Sequence, residues 1–243
     1  MEKFMIAGVR RNVLIDAVIP ERWTLRVHPI LLDVIVMSAF AFFVAVFAQI
    51  TFYVPWTPVP VTGQTFAVLV TGGALGFSRG VGALIIYMIM GLLSLPVFAP
   101  VSADLALNVD SGWAVHLIFP WHGSAAEFWE ITTKASFGYI VGFVFAGALV
   151  GHFAHHAWDR KPMGILVMFL ANILIYVPGL IWLWIVLGPM KDETLKLSQV
   201  LQWGLYPFIV GDLMKLYLAF LTLPIAWALV EKIKRNNSID QDK

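Results

Sequence analysis

Two ionisable side chains, Asp212 and Lys215, stand inside the last long apolar stretch of the chain, Tyr206-Pro-Phe-Ile-Val-Gly-Asp-Leu-Met-Lys-Leu-Tyr-Leu-Ala-Phe220. Three positions apart on a helix, they share one face. At membrane depth a charged side chain costs at least ~2.5 kcal/mol unless it meets a partner or lines a cavity, so such residues mark functional sites by default. The plain alternative is a mutual ion pair that only fixes helix packing. As chemistry, the pair sets an acceptor-only carboxylate beside a donor-only ammonium.

Composition defines the solvent around that pair. The chain is 60% hydrophobic and 13% charged, with a mean hydropathy of +0.82. Soluble domains carry about 25% charged residues, so this is an integral membrane protein. At 27.1 kDa there is room for several spans and none for a large catalytic domain outside the bilayer. With no cysteine, disulfides, thiolate nucleophiles and Cys-ligated metals are excluded.

Spans need about 20 apolar residues. Pro, Gly and charged clusters cut the chain into six candidates: Ile30–Phe52, Gly63–Phe77, Gly80–Phe98, Ser136–Trp158, Met163–Leu187 and Gly204–Val230. The second is short, and only Phe77-Ser-Arg-Gly80 with Gly76 separates it from the third. The expected architecture is an all-α bundle of six transmembrane helices at 30–232. A cytoplasmic segment at 1–29, readable as a surface-lying amphipathic helix, and a tail at 233–243 flank it. Outer loops fall at 53–62, 99–135 and 188–203. Lys and Arg gather on the side of both termini (Arg10, Arg11, Arg22, Arg26, Arg79, Arg160, Lys161, Lys232, Lys234, Arg235), against Lys134, Lys191 and Lys196 opposite. The positive-inside rule then places both termini in the cytoplasm of a multi-pass protein of the cell membrane. No signal peptide is expected, because about 29 residues with no short apolar core precede the first span.

This topology puts Asp212 about 10 Å below the outer end of the sixth span, at ~1.5 Å per residue. Gln64, Thr65, Tyr139 and Trp182 fall in the same outer half. Each alone reads more simply as a belt aromatic or a helix-to-helix hydrogen bond. Over the mouth runs Val54-Pro-Trp-Thr-Pro-Val-Pro-Val61, with three prolines and no charge. It cannot be helical and is expected to be a stiff apolar lid. The loop Ala99–Ala135 is long and Trp-rich, as a functional cover would be.

Four blocks, Pro55-Trp-Thr-Pro-Val-Pro-Val-Thr-Gly-Gln-Thr-Phe66, Gly91-Leu-Leu-Ser-Leu-Pro-Val-Phe98, Phe137-Gly-Tyr-Ile-Val-Gly-Phe143 and Pro207-Phe-Ile-Val-Gly-Asp-Leu-Met-Lys215, resemble in order and separation the signature blocks of the BioY family. The resemblance runs from the first span to the sixth. It implies the substrate-binding S component of an energy-coupling factor (ECF) transporter, with six helices, biotin captured from outside, and ligand contacts from the block Gly211-Asp-Leu-Met-Lys215. The long loop 99–135 departs from the short Gly-rich connection common in the family, so a contact through Asn108 is not carried over.

Biotin fits the pair. Asp212 suits its two ureido N–H groups, and Lys215 suits either the ureido carbonyl or the carboxylate. Phe66, Phe98, Tyr139, Tyr176 and Trp182 are candidates for an apolar wall, each with ordinary packing as the alternative. The chain has no Gly-x-x-x-x-Gly-Lys-[Ser/Thr] loop, so it is not its own ATPase. The resemblance implies a transmembrane T component carrying paired ATPases as partner. Ala41, Ala45 and Ala48 on the first span form a small-residue stripe of the kind used for such docking, with internal packing as the alternative. Neither a cofactor nor a nucleic-acid partner is expected, and the lipid bilayer is the remaining partner. His152, His155 and His156 read as a solvated helix end, and no enzymatic activity is expected. Two rival readings remain: an S component for another vitamin, and a free-standing carrier, against which the lack of an internal repeat counts.

Overall fold

Apolar segments fold as helices here because a bilayer offers backbone N–H and C=O groups no other partner. A computed structural model describes residues 13–100, 107–109, 113–119, 121, 128–158, 161–189 and 194–241. In chain order the elements are α1 (Leu14–Val18), α2 (Glu21–Arg26), α3 (Pro29–Ala48), β1 (Thr51–Tyr53), β2 (Val61–Thr62), α4 (Gln64–Leu92), β3 (Leu107–Val109) and β4 (Trp113–His116). There follow α5 (Phe128–Thr132), α6 (Phe137–Ala154), α7 (Gly164–Leu187), α8 (Leu197–Gly204), a 3₁₀ turn (Tyr206–Phe208) and α9 (Ile209–Gln241). Five of these, α3, α4, α6, α7 and the helical run ending in α9, are long and apolar enough to cross a membrane.

The fourth helix is not straight. Gly76 takes φ 78° and ψ −173°, a conformation open to glycine and strained for other residues. The chain folds back there, one residue before the expected Phe77–Gly80 connection. Gln64 Nε2 donates to Tyr87 Oη at 2.6 Å, whereas 23 residues of straight helix would separate them by about 34 Å. The arms Gln64–Leu75 and Phe77–Leu92 therefore lie side by side. The first also meets α6 closely: a Cβ at Gly72 would stand 2.8 Å from the Gly147 carbonyl oxygen, the small-residue contact typical of membrane helices.

In the core, α6 packs on α4 and α7, α9 packs on the same two helices, and α3 packs on α4. Leu69, Tyr87, Met168, Leu183 and Leu223 fill the centre. Ala41, Ala45 and Ala48, the stripe expected to dock a partner, are 0% exposed and pack within this chain, and α3 presents Ile30, Val34, Ile35 and Phe42 outward.

Both non-helical covers prove to be partly sheet. β1 pairs antiparallel with β2 (Thr51 opposite Thr62) and with β4 (Phe52 opposite Val115), and β4 pairs with β3, giving the order β2-β1-β4-β3. The first span accordingly ends at Ala48 and not at Phe52. Buried Gln49 and Thr51 are held by Gln49 Nε2 donating to the Phe98 carbonyl (3.3 Å) and Thr51 Oγ1 to the Ala48 carbonyl (2.7 Å). At the opposite end of the bundle α1 docks under the Gly76 turn, with Val13 and Ala17 buried. Arg79 there bridges Asp16 of α1 and Asp33 of α3. Among the described residues the N-terminal segment holds two short helices, the first docked, where a surface-lying amphipathic helix was expected. The segment 188–203, expected to be an outer loop, carries most of α8, and the tail continues α9 as helix to Gln241.

Candidate ligand site

α9 begins two residues after Pro207, so its first turn carries Asp212 inward beside the end of the β1–β2 hairpin. The Asp212 carboxylate is almost wholly buried and satisfied on both oxygens. Lys215 Nζ donates to Oδ1 at 2.6 Å, Thr65 Oγ1 donates to Oδ1 at 3.4 Å, and Tyr176 Oη donates to Oδ2 at 2.5 Å. Lys215 Nζ donates a second bond, to the Thr62 carbonyl at 2.9 Å. A buried charge needs such partners to be tolerated. The pair is therefore tied to three separate elements, β2, the first arm of α4, and α7.

These groups form one wall of a cavity of about 60 Å³, space for several waters. Gln64, Phe98, Tyr139, Tyr176, Asp212 and Lys215 all line it, so six of the eight residues expected from the sequence converge. Gln64 is held by Tyr87 and by Thr62, whose Oγ1 donates to Gln64 Oε1 at 2.9 Å. Tyr139 Oη donates to the Gly204 carbonyl at 2.8 Å, and its ring meets that of Tyr176 edge-on at 5.9 Å.

Two expected wall residues stand elsewhere. Phe66 packs on Phe47 and Phe43, centroids 5.1 and 6.5 Å away, because two residues beyond Gln64 a helix has turned about 200°. Trp182 packs on Phe137 and donates Nε1 to the Lys134 carbonyl at 3.2 Å. Sequence reasoning passed over Thr62, Lys134, Ile131 and Phe208, which also line the cavity. Thr62 meets Lys215 through its backbone carbonyl, which carries no side-chain signal. Lys134 lay in view as one of three outer-loop cations.

The proline-rich hairpin roofs the cavity with Val59, Pro60 and Thr62. Thr57 Oγ1 donates to the Trp203 carbonyl of α8 at 2.6 Å, and Tyr53 Oη donates to the Pro100 carbonyl at 2.6 Å. The histidines expected at a helix end lie at the far end of α6, where His155 Nε2 accepts from the Phe77 amide at 3.4 Å. Among the described residues there is no group of three or more His, Cys, Asp or Glu able to hold a metal. Asp159 and Arg160 beside them lie outside the described residues, as do Arg10, Arg11 and Lys191. Asn108 is described only as a strand residue of β3, paired with Ala114.

Comparison with known proteins gives one consistent picture. The sequence profile of the BioY family matches residues 21–112 and 114–232. A "Probable biotin transporter BioY" of Pyrococcus horikoshii is 30% identical over 183 residues, covering 75% of this chain and 88% of that protein. One of the same name from Methanothermobacter thermautotrophicus is 38% identical over 104 residues, 40% of this chain and 64% of that protein, so the match spans just under two thirds of that relative. Another from Lysinibacillus sphaericus is 25% identical over 182 residues, 74% of this chain and 79% of that protein. Among solved structures, the S-component for biotin from an ECF-type ABC transporter superposes with a TM-score of 0.57 at 18% identity, covering 80% of this chain and 89% of that one. That likeness is one of fold.

Proposed function

The chain belongs to the BioY family, and from that premise we propose that it is the biotin-capturing membrane component of an ECF-type uptake transporter. It takes biotin from the outer side and passes it inward when coupled to a T component and paired ATPases. Counting the two arms of α4 as two crossings gives six, with both termini cytoplasmic. In that orientation the sheet and the Asp212 cavity face outward, while Arg79 and the docked α1 face the cytoplasm.

The observation that carries the reading is the satisfied ion pair on the wall of a roofed cavity. Asp212 and Lys215 present acceptor and donor side by side, flanked by the Tyr176 and Tyr139 rings and Phe98. A ureido group needs an acceptor for its two N–H donors and a donor for its carbonyl, and the fused apolar rings need an aromatic wall. The contacts now made by Thr65 and Thr62 would be exchanged for contacts to the ligand. Equilibrium calorimetry on the purified protein, with biotin and a panel of other vitamins, tests this: biotin alone is expected to bind tightly. Tight binding of a different vitamin would instead assign the same fold to that ligand.

A further inference from the structure

Tyr87 stands behind the cavity wall, 0% exposed, and touches two of the residues that form it. Its hydroxyl meets the Gln64 side-chain amide at 2.6 Å, and its ring meets that of Phe98 edge-on at 5.3 Å; Gln64 and Phe98 both line the cavity. We propose that Tyr87, together with Thr62, is a positioning residue that locks the Gln64 amide in one of its two orientations, so that Gln64 offers the captured ligand an N–H donor for an acceptor oxygen. The inference rests on the biotin reading, in which the ureido carbonyl and the carboxylate supply such oxygens.

A chain of hydrogen bonds sets that orientation from its far end. A backbone carbonyl only accepts, so the single Tyr87 hydroxyl hydrogen goes to the Val97 carbonyl at 3.3 Å. The Tyr87 oxygen is thereby the acceptor toward Gln64, which puts Nε2 on the Tyr87 side of the amide. The other half of the amide agrees. Thr62 Oγ1 accepts from the Gln64 backbone N–H at 3.3 Å and gives its own hydrogen to Gln64 Oε1 at 2.9 Å. Turning the amide over would set Oε1 against a Tyr87 oxygen whose hydrogen is committed to Val97, and the two acceptors would repel. Nε2 carries two hydrogens; the one given to Tyr87 fixes the direction of the second, which is the donor Gln64 can extend from its place on the cavity wall. Gln64 is 5% exposed, so water competes little with these bonds and they hold the amide more firmly than they would at a surface. The competing role for Tyr87 is purely structural, as a clasp between the two arms of α4.

The test is a double-mutant cycle read by calorimetry with biotin, on full-length protein in lipid nanodiscs: wild type, Tyr87→Phe, Gln64→Leu and the two combined. Tyr87→Phe keeps the ring against Phe98 and removes only the hydroxyl. It is expected to weaken biotin binding by about 3- to 10-fold in the wild-type background, and by less than about twofold in Gln64→Leu, where no amide remains to be positioned. Thr62→Val frees the other end of the same amide while keeping the backbone carbonyl that Lys215 uses. The same dependence on Gln64 is expected of it, and it carries the test if Tyr87→Phe does not fold. A loss of the same size in both backgrounds, as a structural clasp would give, overturns the positioning role and leaves the biotin reading standing, and so does wild-type affinity in Tyr87→Phe. Wild-type protein that does not bind biotin overturns both.

Discussion

At the residue scale, the account turns on what a buried carboxylate requires. Asp212 accepts from Lys215, Tyr176 and Thr65, and removing one member of such a set leaves the others unpaired. Lys215→Ala is expected to weaken biotin binding by about 30-fold to a few thousand-fold, the range for truncating one partner of a buried charge pair. Tyr176→Phe removes one charge-assisted hydrogen bond and is expected to cost about tenfold in affinity, with the protein still folded. Both effects are read by calorimetry, and wild-type affinity in Lys215→Ala would show the pair to be structural only. The pair was legible in the sequence because two charges three residues apart in an apolar run stand out, whether they hold a ligand or only fix helix packing. Depth along a span was legible too: it grouped Gln64, Thr65, Tyr139 and Trp182, of which the first three line one cavity. Direction around the helix was not, which is why Phe66 and Trp182 turned out to face away from the cavity.

Elements explain how the site is closed and where the alanine stripe packs. The hairpin between β1 and β2 is pinned to α8 by Thr57 Oγ1 on the Trp203 carbonyl, worth about 0.5–1.5 kcal/mol net. Thr57→Ala is therefore expected to speed biotin release by about 2- to 10-fold in stopped-flow exchange, and an unchanged release rate would mean that the hairpin is not the gate. Ala45 is packed inside the chain, so Ala45→Leu overfills the core at a cost of about 1–3 kcal/mol. A lower melting temperature in detergent is expected, whereas undiminished stability with lost uptake would return the stripe to a docking role. The proline-rich roof was legible from Pro55, Pro58 and Pro60. The sheet was not: β1 and β4 are short strands some sixty residues apart, and their pairing is a tertiary event with no local pattern to announce it. The neighbour of the alanine stripe was not legible for a related reason, since small residues permit close approach without saying whether that neighbour is internal or another protein.

For the whole molecule, the Gly76 reversal decides the parity of the chain. If the arms of α4 are two crossings, the proline-rich hairpin and the end of α9 lie on opposite sides of the membrane. The native chain has no cysteine, so single-cysteine proteins are clean reporters. An impermeant maleimide is expected to label Pro58→Cys in intact cells and Lys232→Cys only after permeabilisation; labelling of both in intact cells would contradict six crossings. The expectation of this arrangement came from charge, through Arg79 at the Gly76 turn and Lys232, Lys234 and Arg235 after the last span. The docked α1 and its bridge from Asp16 to Arg79 were hidden, because a short amphipathic segment looks the same whether it meets lipid or protein.

The central claim, that biotin is held by the Asp212–Lys215 pair, is tested most directly by titrating biotin into wild-type and Asp212→Asn protein side by side in a calorimeter. The wild type is expected to bind one biotin tightly, and Asp212→Asn to show at least about 30-fold weaker binding while still folding and inserting. Equal biotin affinity in the two proteins would contradict it.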